Sequence, residues 1–277
     1  MEVLRSIIVA LVYREVTLFK RHFSEYLIIW FIPSLLSLAV VLLPMTMFKG
    51  EEVIRRVNYV LGAELDFNHV IMYSLAISSI ISLTLVIIDD AVNTLYHEKN
   101  TTGVLQMILE TTSLKTYLIA LALVKPPLLT LLSTMYLAIA LPLAGGFEGL
   151  TLYLTLLPSL LISSTALGMY ALIISILVSF RIRISRPWTI SNTLIPALLA
   201  GSGLYIPLKL VPLFLRIFAY TAPIPQECEI IRILAFKGLS VEILIPITLM
   251  VMLMAIYLSI NTPMAHLTDL SVRRGGT

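Results

Sequence analysis

Charged residues are scarce in this sequence. Asp, Glu, Lys and Arg make up 13% of its 277 residues, about half the share of a soluble globular domain. Hydrophobic residues make up 58%, and the mean hydropathy is +0.97, so the composition indicates an integral membrane protein. The formal net charge is only +3. Because no basic run interleaved with aromatic residues accompanies it, we expect no nucleic-acid partner.

Cysteine and phosphate-binding motifs are also lacking. Cys228 is the only cysteine, which excludes an intrachain disulfide and a metal site built from several thiolates. The four histidines lie on separate segments without metal-ligand spacing. No G-x-x-x-x-G-K-[ST] loop occurs, since the only Lys followed by Ser or Thr is Lys115, and Leu114 precedes it. We therefore expect this chain to hold no cofactor and not to be an enzyme.

Long apolar runs are what the sequence does contain, and they predict six membrane spans of about 20 residues each. These are residues 26–48, 69–88, 117–144, a stretch within 150–180, 187–204 and 241–261. A glycine-rich turn at 145–149 separates the third and fourth spans. Residues 205–240 mix four prolines with charged residues, which predicts extracellular interfacial or re-entrant helices.

Residues 3–25 have the periodicity of an amphipathic helix. The apolar stripe consists of Ile8, Leu11, Val12, Phe19, Phe23 and Tyr26, and the opposite positions are Ser6, Arg14, Thr17, Arg21 and Ser24. This pattern predicts a helix in the membrane interface, with a simple extension of the first span as the alternative. The expected fold is an all-α integral membrane protein, with an interfacial helix at 1–25 and a six-span domain at 26–277.

The basic residues favour cytoplasmic termini in a multi-pass protein of the plasma membrane. Six spans place both termini on one side, where 11 Lys and Arg residues fall, against 7 on the other side. Lys125 alone lies within a span. A lysine buried within a span suggests a functional role. Lys125 lies only eight residues past Tyr117, where the span begins, so we expect its side chain to snorkel back to the cytoplasmic interface.

A polar insert at 97–113 joins the second and third spans on the predicted cytoplasmic side. Thr101 or Thr102 suits the N-cap of a short helix. One apolar face of this helix is formed by Val104, Leu105, Ile108 and Leu109. A helix of about two turns is marginal alone in water, so this face must dock on another surface. That surface is either the lipid surface of the membrane or a soluble partner protein.

The insert resembles the coupling helix of the membrane permease subunits of type-2 ABC exporters. The family pattern is an acidic residue, a basic or polar run, and then Gly-Thr-Leu-Glu-x-Leu-Leu. The matching positions are Glu98, Lys99, Gly103, Leu105, Gln106 in place of the acid, Ile108 and Leu109. Val104 replaces the threonine, and Thr112 stands where a proline often follows. Lys125 with Pro126 and the proline-rich residues 203–232 also resemble later parts of the family pattern.

The resemblance implies a mechanism. Permeases of this family pair as dimers, and each coupling helix sits in a cleft of a separate ATP-binding subunit, which holds the ATP and Mg. This chain is then expected to form the substrate pathway with a second copy or a related permease, surrounded by membrane lipid. The implied ATPase-coupling residues are Glu98, Gly103, Val104, Leu105, Gln106, Ile108 and Leu109. Glu98 is expected to contact either the ATPase or the N-terminal helix.

Two other functions stay open. A self-contained secondary transporter or channel needs ionisable residues near the membrane midplane, and we expect no Asp or Glu there. A membrane-embedded lipid-processing enzyme would hold Mg²⁺ on Asp89 and Asp90, with His97 and Glu98 downstream. However, no second acidic cluster follows on another cytoplasmic loop, and a span terminus at headgroup level is the plainer interpretation. Glu148 is expected to be a solvated residue of the outer turn.

Overall fold

The structure is a computed structural model that describes most of the chain. The described residues are 2–25, 28, 32, 39, 55, 59, 67–100, 105, 108, 110, 112–182, 184, 186–204 and 208–274. Within them the chain is helical and has no β-strand, which confirms the predicted all-α class. Apart from residues 28, 32 and 39, the predicted first span at 26–48 lies outside the described residues.

Eight α-helices occur in these described ranges. They are α1 (Glu2–Arg21), α2 (Phe67–Asn100), α3 (Leu114–Ser133), α4 (Leu137–Ile176), α5 (Trp188–Gly201), α6 (Leu213–Ala219), α7 (Ile224–Lys237) and α8 (Leu244–Arg273). A π-helical segment, Leu177–Ile182, continues α4. Single 3₁₀ turns at Leu208–Leu210 and Val241–Ile243 precede α6 and α8.

Four of these helices are long and apolar enough to cross a membrane, which indicates a multi-pass membrane protein. They are α2, α3, α4 with its π-helical extension, and α8 with the 3₁₀ turn before it. They correspond to the predicted second, third, fourth and sixth spans. The predicted fifth span forms α5, whose 14 residues extend about 21 Å at 1.5 Å per residue. That is shorter than a hydrocarbon layer of about 30 Å.

Helix α2 extends further than the sequence predicted. A span ending at residue 88 is too short, because α2 continues past Asp90 to Asn100 and so contains residues 97–100 of the insert. No Gly or Pro interrupts this stretch, and Val92 and Leu95 remain fully buried within it. Packing therefore favours continuing the helix by about three turns beyond Ile88, where the uncharged run ends.

The predicted turn at 145–149 is found as a break in the helical backbone. Gly146 adopts φ 58° and ψ −129°, a conformation that is essentially limited to glycine. Three residues later, a Cβ on Gly149 would lie 1.9 Å from the carbonyl oxygen of Leu141. The chain therefore folds back on itself here with two backbones in close approach. The predicted third span is also interrupted, because α3 ends at Ser133 and α4 begins at Leu137.

Helix α2 forms the centre of the described structure. In its most apolar 18-residue stretch 83% of the residues are buried, against 17% in α8. It packs against α3, α4, α5 and α7. Helix α7 is also internal, since its residues from Ile224 to Cys228 are all buried and it packs on α2, α4 and α8. Helix α6 lies at the surface, with Leu213, Phe214 and Ile217 exposed.

Candidate functional site

The N-terminal helix packs against the bundle with a different face from the one its periodicity suggested. Helix α1 lies on α3, and Leu11 and Glu15 are both buried. Arg14, which was expected on the polar side, points into the bundle, whereas Val12 and Tyr13 are exposed. Because α1 finds its charge partners on neighbouring helices, a simple separation of apolar and polar faces is wrong for this helix.

Arg14 ties α1 to the end of α2. Its Nη1 donates to Glu98 Oε1 at 2.8 Å and to the Tyr117 hydroxyl at 3.3 Å, and its Nη2 donates to Glu15 Oε1 at 3.0 Å. The Tyr117 hydroxyl also donates to both Glu98 oxygens, at 2.7 and 2.8 Å. Burial disfavours the charged guanidinium, but Tyr117, Glu98 and Glu15 more than offset this, so the pKa of Arg14 is raised above its ordinary value. The expected contact between Glu98 and the N-terminal helix is therefore present.

Lys125 lies at the centre of a second set of polar contacts, and the expectation that it snorkels to the interface is wrong. Its side chain is 8% exposed. The ammonium lies 2.8 Å from Asp90 Oδ2, donates to Thr94 Oγ1 at 3.0 Å and lies 3.7 Å from Glu15 Oε1. Since α2 continues past Asp90, it brings an anion within reach of Lys125 inside the bundle, and the side chain does not need to reach the interface.

Together these residues form one ionic cluster that joins α1, α2 and α3. Helix α2 contributes Asp90, Thr94 and Glu98, which are spaced four residues apart and so share one face of the helix. Arg14 and Lys125 supply the cations from the other two helices. Of these residues, only Glu98 is among the predicted coupling residues; Asp90 belongs to the Mg²⁺ hypothesis and Lys125 to the hypothesis of a buried cation. The four-residue spacing of Asp90, Thr94 and Glu98 can be read from the sequence. It places them on one face only if the helix continues past Asp90, and the predicted second span ended before that residue.

The apolar face of the insert is partly covered by this same chain. Leu105 is 4% exposed and belongs to a cluster of buried side chains from α1, α2, α3, α4 and α8, and Ile108 packs against that cluster. Glu110 is exposed. The other predicted coupling residues, Gly103, Val104, Gln106 and Leu109, lie outside the described residues. A direct contact between the insert and an ATPase stays a prediction, and Leu105 is buried within this chain.

The far end of the insert is held by α8. Asp269 Oδ1 accepts from the backbone N–H of Leu114 at 3.2 Å, and Arg273 donates to the carbonyl of Thr112 at 3.1 Å. Arg273 also bonds to Asp269 at 3.1 Å. Ser113 is the N-cap of α3. A carboxylate at the start of a helix accepts hydrogen bonds from N–H groups that have no partner within the helix, and its negative charge is attracted to the positive end of the helix dipole. Asp269 of α8 therefore stabilises the start of α3.

Another buried acidic side chain lies away from the ionic cluster, between α4 and α7. Glu227 of α7 is 1% exposed, and its Oε1 accepts from Ser159 Oγ of α4 at 2.8 Å. Its Oε2 has no hydrogen-bond partner among the described residues. Ser159 lies 13 residues past Gly146, about 20 Å along α4. An acidic side chain therefore lies buried between α4 and α7, although the sequence led us to expect no Asp or Glu near the membrane midplane.

A cavity of about 320 Å³ opens near the break in α4, between α2, α4 and α7. Its lining includes Met72 and Phe236 on the apolar side, and His69 and Glu148 at its polar rim. His69 Nε2 lies 3.7 Å from Glu148 Oε2, and 73% of the Glu148 side chain is exposed. Glu148 is thus a solvent-facing residue of the turn, as predicted.

No metal centre is formed by the part of the chain that the structure describes, where no three His, Cys, Asp or Glu side chains are grouped to hold an ion. Asp90, one of the two carboxylates in the Mg²⁺ hypothesis, is paired with Lys125. No protein family, curated protein or solved structure matches this chain. Its function is therefore inferred from the contacts described above.

Proposed function

We propose that this chain is the transmembrane permease subunit of an ATP-driven exporter of the type-2 ABC class. The observation that supports this best is how firmly the insert at 97–113 is attached at both ends. Its start is tied to α1 and α3 through Glu98, and Leu105 packs in the cluster between the helices. Its end is held by Asp269 and Arg273 of α8. A push on the insert is therefore passed through a contiguous set of contacts to the helices.

The proposed topology has six spans, both termini in the cytoplasm, and a plasma-membrane location. The described α2, α3, α4 and α8 are four of these spans, with residues 26–48 and the region of α5 as the other two. Helix α1 then lies at the cytoplasmic interface, and α7 enters the bundle as a re-entrant helix from the outer side. The ionic cluster and the insert lie together at the cytoplasmic end, where a soluble ATPase has access.

In this mechanism the energy comes from a separate ATP-binding subunit, which carries the ATP and Mg. Two permease chains form the substrate pathway, and each insert follows the opening and closing of an ATPase. Because Glu98 and Leu105 are held inside the chain, they transmit the movement, and the exposed side around Glu110 makes the contact with the ATPase. The insert thus has two roles, attachment to the spans and contact with the ATPase, which belong to different residues.

Photo-crosslinking tests this proposal directly. A photoreactive amino acid at Glu110, expressed in the native cells, should form a crosslink to a protein that carries a phosphate-binding loop, identified by mass spectrometry. The same amino acid at Glu148 is the matched control, because that residue is also exposed but belongs to the predicted outer turn. Crosslinks of Glu110 to lipid or to this chain alone, with no ATPase captured, would contradict the proposal.

Glu227 favours one other candidate, a self-contained secondary transporter driven by protons. Buried ionisable groups between spans are typical of proton pathways, and Glu227 is such a group on a helix inside the bundle. The crosslinking experiment separates the two candidates, since a self-contained transporter has no ATPase to capture. A lipid-processing enzyme has less support, because Asp90 forms its ion pair with Lys125 and is not free to bind a metal.

A further inference from the structure

Helix α7 is held against α4 by one carboxyl group in an apolar environment. Glu227 Oε1 accepts the hydrogen bond of Ser159 at 2.8 Å, whereas Oε2 is buried without a hydrogen-bond partner. Leu156 and Leu160, which flank Ser159 on α4, and Ile231, one turn after Glu227 on α7, belong to one cluster of buried apolar side chains. No cation among the described residues forms an ion pair with Glu227.

The chemistry of this position favours a protonated carboxyl group. An isolated carboxylate loses its hydration when it is buried, and one hydrogen bond replaces only part of it, so the neutral acid is the less costly form. Besides Glu227, α7 itself carries the titratable or charged residues Cys228, Glu229, Arg232 and Lys237. The elements packed against α7 carry His69, Tyr73, Asp89, Asp90, Tyr96, His97, Glu98 and Lys99 (α2), Glu148, Tyr153 and Tyr170 (α4), Glu242 (the 3₁₀ turn before α8), and Tyr257, His266, Asp269 and Arg273 (α8). Arg232 is paired with Glu229 at 2.6 Å and so does not neutralise Glu227.

We propose that Glu227 is a proton-binding site that couples the position of α7 to pH. With the proton bound, α7 stays seated against Ser159 of α4. When α7 moves away, the carboxyl group reaches water, releases its proton to the solvent and ionises, and the charge then opposes reseating. Low pH therefore favours the seated state and high pH favours the open one, whether transport is driven by ATP or by an ion gradient.

Cys228 provides a built-in reporter for this movement. It is the only cysteine in the chain, it follows Glu227 directly, and it is 1% exposed, so a maleimide can reach it only when α7 opens. Reaction requires the thiolate, whose fraction rises about tenfold per pH unit below the thiol pKa. Opening linked to the release of one proton adds up to about another tenfold per pH unit.

The experiment measures the rate of Cys228 labelling in the purified full-length protein between about pH 6 and pH 8. In Glu227→Gln, which keeps the shape of the side chain but cannot ionise, the rate should rise only about tenfold per pH unit. The wild type should rise more steeply. In Ser159→Ala, labelling should be faster at every pH while the steeper slope is retained. Equal slopes in wild type and Glu227→Gln would overturn the proposal.

A second measurement covers the case in which Glu227→Gln does not fold. The infrared spectrum of the wild type should contain the carbonyl band of a protonated carboxylic acid near neutral pH. That band should weaken over the same pH range in which Cys228 labelling accelerates beyond its thiolate slope. Two results would contradict the link between the Glu227 proton and the position of α7. One is the absence of the band near neutral pH, and the other is a band that stays unchanged while Cys228 labelling accelerates beyond its thiolate slope.

Discussion

Removing the buried ammonium of Lys125 is the sharpest test of the ionic cluster. In Lys125→Met, Asp90 loses a partner at 2.8 Å and Glu15 loses one at 3.7 Å. Removing one partner of a buried ion pair costs about 3–5 kcal/mol. We expect the free energy of unfolding to fall by about 3 kcal/mol, the lower end of that range. The loss is not larger because the Asp90 side chain is 29% exposed and Glu15 keeps its ion pair with Arg14. Asp90→Asn should cost only about 1–2 kcal/mol, since Lys125 keeps its other contacts.

Thermal unfolding in detergent, followed by the loss of the helical circular dichroism signal, measures these losses in the free energy of unfolding, because the described part of the protein is helical. The double variant Lys125→Met/Asp90→Asn should lose at least about 1 kcal/mol less than the sum of the two single losses. Lys115→Met makes the same change in the first turn of the same helix and should stay within about 0.5 kcal/mol of wild type. Additive losses, or equal effects at Lys115 and Lys125, would refute the ion pair.

Three further substitutions test other contacts with the same unfolding assay. Arg14→Gln removes the cation from buried Glu98 and should cost about 2 kcal/mol, less than a fully buried pair, because 32% of the Arg14 side chain is exposed. Leu105→Asp places a charge among buried apolar side chains, so it should lower the unfolding temperature and abolish transport together; lost transport at unchanged stability would contradict the packing. Gly149→Ala should also destabilise, because its Cβ would meet the carbonyl oxygen of Leu141; an unchanged unfolding temperature would contradict this close approach.

Composition and apolar run length were sufficient to predict the helical class and four of the long apolar helices, because both features depend on the local sequence. The end of α2 was not predictable in the same way. A span was expected to end where the uncharged run ends, at Asp89 and Asp90, yet Val92 and Leu95 continue a buried face of the helix. The length of α2 therefore depends on which helices pack beside it, and the local sequence does not contain that information.

The error at Lys125 follows from the error at α2. A lysine near the start of a span is expected to snorkel when no anion is available at its depth. The additional turns of α2 place Thr94 beside Lys125 and Glu98 beside Tyr117, so the polar environment arises between helices. Glu227 was missed for a similar reason, because a helix of 14 residues with charged side chains suggests an interface until its neighbours are known.

These contacts change what the insert can offer to a partner. An apolar face that needs a docking surface suggested the cleft of an ATPase, but Leu105 already belongs to a buried cluster with side chains from five helices of this chain. The apolar side of the insert thus serves at least partly to attach it to the spans, which leaves its outer side, with Glu110, for a partner. Such an arrangement suits a coupling element, since a segment that transmits force must be fixed to the helices it moves as well as to the subunit that drives it.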